Sequence, residues 1–357
     1  MLMACSHVLP AQVKQHELRD FFRNPEKSRF QVSPGGDMIS YLAPWNNRMN
    51  IHVQKIGSQD ALRITSLTDR DISGYFWKNN NTLVYIRDFN GDENFHLFVA
   101  TTDGKKEKDM TPFKGVRVQI TDALEDFPDE ILIEMNKENR EIFDVYRLNL
   151  LNGEMKVVAK NPGNISGWVT DHTGAVRAAV TTDGVKSSLL VRDKETEEFR
   201  ELFTNDFTEG VSPLFFTFDN KNLFVSTNIQ RDKQVIAELD ITTGKEIRVI
   251  YEDEQVDVSD LMFSRKRKVL TMVGIEKDKY DYHFLDSETE DMFNRLKAQL
   301  PGYRISIPSA DKEENKFIVR TYSDRSLGAA YLYEKASNKL TKLHDISPWI
   351  NEGDMSE

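Results

Sequence analysis

Asp88, Asn90 and Asp92 place side-chain oxygens two residues apart, the alternation with which a calcium loop opens, because such residues can converge on one hard cation. An EF-hand then requires glycine at its sixth position and glutamate at its twelfth, where this chain has Glu93 and Val99. The segment therefore reads as a long hairpin loop whose Asp and Asn side chains satisfy their own backbone, with no metal. The seven histidines, His7, His16, His52, His96, His172, His283 and His344, show no His-x-x-x-His spacing. For acyl transfer on an α/β-hydrolase sheet the signal is a Gly-x-Ser-x-Gly elbow, which holds the serine on a sharp strand-to-helix turn. The nearest string, Gly163-Asn164-Ile165-Ser166-Gly167, carries its serine one position late. No nucleophile is activated in this way, so the isolated chain is expected to be inactive, and no cofactor is expected.

A second set of residues is suited to recognition. Arg48, Asp88, Glu93, Asn94, Arg140, Arg231, Asp324 and Arg325 fall in polar loops. An arginine fork matches a carboxylate or carbonyl, and a carboxylate matches a peptide amine. The competing interpretation is plain solvation of surface loops.

What holds those loops is a repeat. A unit of about 45 residues recurs, each with a short β-branched or aromatic run as its second strand, in the range of a four-stranded propeller blade. The runs are Met38–Leu42, Leu83–Ile86, Glu130–Glu134, Val176–Val180, Asn222–Ser226, Lys268–Val273 and Lys316–Arg320. Tight polar turns such as Pro34-Gly35-Gly36-Asp37 and Asp171-His172-Thr173-Gly174 precede them, where Gly and Asn supply positive φ at little cost. Units near 30–70, 71–116, 117–164, 165–210, 211–257, 258–302 and 303–347 predict an all-β, seven-bladed β-propeller of four-stranded antiparallel blades. A β-solenoid or a two-sheet sandwich fits repeats of this length poorly.

The sixth unit departs from the others. Its outer strand is replaced by Asp291–Leu300, in which Met292, Phe293, Leu296 and Leu300 recur at helical spacing before a Pro301-Gly302 stop. A short helix packed on blade six is expected. Residues 1–29 form an N-terminal segment with a short helix around Glu17–Phe22, 30–347 the propeller, and 348–357 a linker toward a further C-terminal domain.

The remaining composition excludes several classes. A net charge of -11 opposes nucleic-acid binding, and Arg265-Lys266-Arg267-Lys268 reads as a solvated turn between strands. A single cysteine, Cys5, permits no intramolecular disulfide. No apolar run is long enough to span a bilayer. Met1-Leu2-Met3-Ala4-Cys5-Ser6 has the form of the end of a lipoprotein signal without its preceding regions, so cytoplasm and periplasm both stay open.

Three segments carry a family resemblance: Phe21–Lys27 leading into Phe30–Asp37, then Asp88–Leu97, then Ser323–Gly328. In order and spacing they resemble the N-terminal propeller of prolyl oligopeptidase-family serine peptidases of the acylaminoacyl-peptidase and dipeptidyl-peptidase kind. The resemblance implies a C-terminal α/β-hydrolase domain as partner, peptide substrates, and a gating role for the propeller. It also implies that the eight loop residues face the substrate or that domain. Repeated Ser-x-Asp-x-Gly-x-x-Trp boxes, and the Gly-His and Trp-Asp pairs of other propellers, do not occur. An independent propeller that binds a protein or a small ligand on one face is the alternative.

Overall fold

The structure, a computed structural model, describes residues 14–356; the sequence start with Cys5 and His7 lies outside the described residues. Seven antiparallel sheets follow one another, each built from contiguous chain with its strands in sequence order. They occupy residues 28–63, 74–109, 118–159, 165–205, 211–251, 260–284 and 304–345, and are called blades 1 to 7. Six blades have four strands and blade 6 has three. The fold is the all-β, seven-bladed propeller that the repeat predicts, with two α-helices added among the described residues, α1 (Leu18–Phe22) and α2 (Ser287–Gln299).

The turns form for reasons visible in their side chains. In blade 4, Asp171 Oδ1 accepts from Thr173 N at 2.8 Å and from the Thr173 hydroxyl at 2.6 Å, and Gly174 takes φ +77° to complete the reversal. Blade 6 loses its outer strand to α2, whose buried Met292, Phe293 and Leu296 take the place of strand side chains. That helix begins at Ser287, earlier than its apolar stripe, because Asp286 caps it by accepting from Thr289 N at 2.9 Å.

The core is distributed between blades rather than gathered at a centre. Leu42, Met49 and Ile51 of blade 1 pack on Tyr75, Trp77 and Tyr85 of blade 2, and comparable clusters fill the other seams. The seam between blades 5 and 6 has the smallest buried cluster, Ile236, Val258 and Val273. The ring closes by packing. Phe30, Val32, Ile39 and Tyr41 of blade 1 meet Ile318, Ala330 and Leu332 of blade 7. Val32 N donates to Ser309 Oγ at 3.1 Å and Lys316 Nζ to Gly36 O at 2.6 Å across this seam, while each blade keeps its own strands.

An up-and-down blade sends its second-to-third loop and its connection to the next blade to one face of the disc. Its other two turns go to the opposite face. We call these the loop face and the turn face. The first strand, Ser28–Val32, begins at the loop face and the last, Lys339–Asp345, ends there. The segments beyond them meet: Trp349 Nε1 donates to Asp20 O at 2.8 Å, the Arg23 guanidinium lies 4.4 Å from the Trp349 ring centre, and Lys14 and His16 both contact Asp354.

Candidate functional site

The eight predicted site residues lie in loop-face segments of five blades, and the structure brings only three of them together. In blade 2, Arg87 ends the second strand, Asp88 follows it, and the chain turns through left-handed Asn90, Gly91 and Glu93. Asp88 is buried, its Oδ1 accepting from Arg70 Nε at 3.1 Å and its Oδ2 from Glu93 N at 3.3 Å. Asp92 accepts from the amides of Phe89 and Asn94 and from Asn94 Nδ2. The carboxylates of the calcium-like alternation are thus engaged by the loop itself and by the preceding connection.

The others sit apart. Arg48 follows the left-handed Asn46-Asn47 turn of blade 1 and pairs in register with Trp45, whose ring is covered by the Arg63 guanidinium at 3.8 Å. Arg140 of blade 3 is exposed and donates to Lys114 O at 3.0 Å. Arg231 forms a two-pronged pair with Glu246 of its own blade at 2.7 and 2.8 Å. Asp324 is exposed at the tip of the blade 7 loop, and Arg325 lies 3.7 Å from Glu352 of the C-terminal segment. Gly328 closes this last loop at φ +68°, where a Cβ would come 2.2 Å from Thr321 O. The glycine of the Ser323–Gly328 segment is therefore required by backbone sterics.

Sequence reasoning missed the residues that support these loops. Asp69, Arg70 and Asp71 come from the connection between blades 1 and 2. Asp69 holds buried Arg87 at 3.0 Å, and Asp71 accepts from Met49 N at 2.7 Å. The run Asp69-Arg70-Asp71 was the available signal, but its partners lie 18 to 22 residues away in sequence. The loop face also exposes large apolar side chains that no polar-loop argument selects. They are Val185 at 61% and Phe207 at 84%, with Tyr322 and Leu327 of blade 7 and Phe21 and Phe22 of α1 beside the chain ends.

Chemically, the face is equipped for contact. His96 Nδ1 lies 2.8 Å from Asp109 Oδ2, the arrangement of an oriented base, but its ring packs against Phe89 and Phe98. Among the described residues no serine or cysteine side chain is hydrogen-bonded to it. No group of three or more His, Cys, Asp or Glu side chains suited to a metal converges among the described residues.

No protein-family model matches the chain. It is 26% identical over 332 residues to dipeptidyl aminopeptidase BIII of Pseudoxanthomonas mexicana, covering 92% of this chain and 48% of that protein. It is 22% identical to dipeptidyl peptidase family member 6 of Caenorhabditis elegans, covering 93% and 47%. Among solved structures it resembles a puromycin-hydrolyzing peptidase of Mycobacterium tuberculosis, with TM-score 0.63, 11% identity and coverage of 92% and 55%. It also resembles prolyl oligopeptidase B of Galerina marginata, with TM-score 0.62, 10% identity and coverage of 94% and 53%. The chain spans about half the length of the curated relatives it matches. The chain thus resembles the propeller portion of the dipeptidyl aminopeptidase and prolyl oligopeptidase family.

Proposed function

We propose that this propeller is the non-catalytic, access-controlling half of a serine peptidase, docking an α/β-hydrolase domain on its loop face and admitting short peptides to it. The observation that carries the reading is convergence on one face. The first strand starts there, the last strand ends there, and exposed Val185, Phe207, Tyr322 and Leu327 lie there. Large apolar side chains exposed at two places on one face support that face as a contact surface. The curated relatives are about twice as long as the match, which supports a second domain as its occupant.

On this reading Arg48, Glu93, Asn94, Asp324 and Arg325 face the hydrolase domain or the peptide. Asp88, Arg140 and Arg231 hold the loops that present them. Selection is steric, since a peptide must pass the ring or the gap between domains before it meets the nucleophile.

The test compares the 357-residue chain with the same chain extended by the downstream coding sequence, on dipeptidyl and aminoacyl chromogenic substrates. Activity confined to the extended chain, lost when its elbow serine becomes alanine and weakened by Phe207→Asp with Leu327→Asp, is the expected result. Hydrolysis by the 357-residue chain alone would overturn the assignment. A downstream sequence without an elbow would shift it to an independent binding propeller.

A further inference from the structure

We infer that residues 123–129 form an electrostatic strap that shuts the turn-face mouth of the propeller channel and releases reversibly. This segment joins the first two strands of blade 3, between Asp122 and Glu130, and is seven residues long where the same connection in other blades has two to five. Its tip crosses the ring. Glu125 lies 2.9 Å from Arg265 of blade 6, and Asp126 lies 3.2 Å from Lys312 of blade 7. In a ring of seven, blades 6 and 7 are the two opposite blade 3, so these pairs span the opening rather than a seam.

The two ends of the strap differ in kind. Its base is fixed: Lys78 of blade 2 is buried and donates to the carbonyls of Ala123 and Leu124, Asn79 Nδ2 donates to Pro128 O at 3.0 Å, and Leu124 is buried in the seam of blades 3 and 4. A Cβ on Gly174 would meet Leu124 Cδ2 at 2.8 Å, so blade 4 is shaped to admit the strap. The tip, Glu125 and Asp126, is held by exposed ion pairs, with side-chain exposures of 63% and 41% for Glu125 and Arg265 and 50% and 64% for Asp126 and Lys312, and Asp126 also lies 4.0 Å from Arg265. Below lies a cavity of about 280 Å3 lined by Trp168, His172, Phe215 and Phe263. A rigid base with a weakly held tip is the construction of a flap.

Each exposed pair changes the open-to-closed ratio by a factor of roughly 1.4 to 5, so the two short pairs, Glu125–Arg265 and Asp126–Lys312, together account for about 2- to 30-fold. Amide hydrogen exchange at 125–127 in Glu125→Gln/Asp126→Asn should accelerate by that factor. Wild type raised from about 0.05 M to about 1 M NaCl should behave alike, because screening weakens exposed pairs. The flanking strands Val118–Asp122 and Glu130–Asn139 should stay protected. In hydroxyl-radical footprinting Trp168 and Phe263 should oxidise faster in both cases, with Trp349 as the unchanged control. Carbodiimide should couple Asp126 to Lys312 in the wild-type chain at low salt and fail at high salt. Exchange and footprint insensitive to both salt and substitution would overturn the strap. So would acceleration that spreads into the flanking strands, since that is blade unfolding. All three readouts use this chain alone and stand apart from what docks on the loop face.

Discussion

Lys78 is a lysine with almost no water around it, and its replacement by methionine should expose the cost of that burial as a pH dependence. Burial lowers its pKa from 10.5 to about 8, partly offset by Asp122, Glu125, Asp129 and Glu130. The Ala123 and Leu124 carbonyls accept from the amine in either protonation state, so burial decides the sign. Between pH 8 and 10.5 the unfolded chain therefore holds the proton that the folded chain has lost, and stability rises with pH across that window. Integrating a shift of this size from pH 7 to 9.5 gives about 2 kcal/mol. Lys78→Met removes this term and leaves two carbonyls short of a donor, at about 1–3 kcal/mol each. The variant should be less stable than wild type at pH 7, with the gap widening by about 2 kcal/mol at pH 9.5. Urea unfolding of both proteins at the two pH values measures this directly. A gap that is the same at both values would refute the reasoning, because it would mean the amine titrates alike in the folded and unfolded chains.

Other expectations follow from single contacts. Phe293→Ala, at a fully buried position 5.2–5.3 Å from the rings of Tyr282 and Phe284, should destabilise by about 3–5 kcal/mol in urea unfolding. Gly328→Ala should cost more than about 3 kcal/mol, since its Cβ would overlap Thr321 O; a shift of thermal midpoint within error would contradict the clash. Arg267 hydrogen-bonds Asp286 and lowers its carboxyl to about 2. Its contribution of up to about 2 kcal/mol is present above pH 4 and is lost between pH 4 and 2, so Asp286→Asn should show a shallower acid transition than wild type.

The blades were legible because each second strand is a short apolar run between turns whose geometry demands Gly or Asn, and both signals are local. The replacement of an outer strand by α2 was legible from Met292, Phe293, Leu296 and Leu300. Its first turn was not, because Ser287 to Glu290 carry no apolar stripe and owe their helicity to the Asp286 cap. The basic run Arg265–Lys268 does form a turn between strands, as the sequence indicates. Its charges are not simply solvated, however: Arg265 reaches Glu125, Lys266 pairs with Glu313 at 2.9 Å, and Arg267 holds Asp286 and Thr289. No local pattern announces partners 45 to 186 positions away, which is why the strap and buried Lys78 escaped a reading of the sequence.

The closure of the ring without a shared strand has a further consequence. Since neither blade 1 nor blade 7 lends a strand to the other, no hydrogen-bonded ladder records where the chain enters the circle. Both chain ends of the ring emerge at the loop face. Joining them with a short linker and reopening any blade-to-blade connection would generate the same seven sheets from a circularly permuted gene. The point at which a neighbouring domain is attached is then a free variable of this architecture, set by which interblade segment is left open.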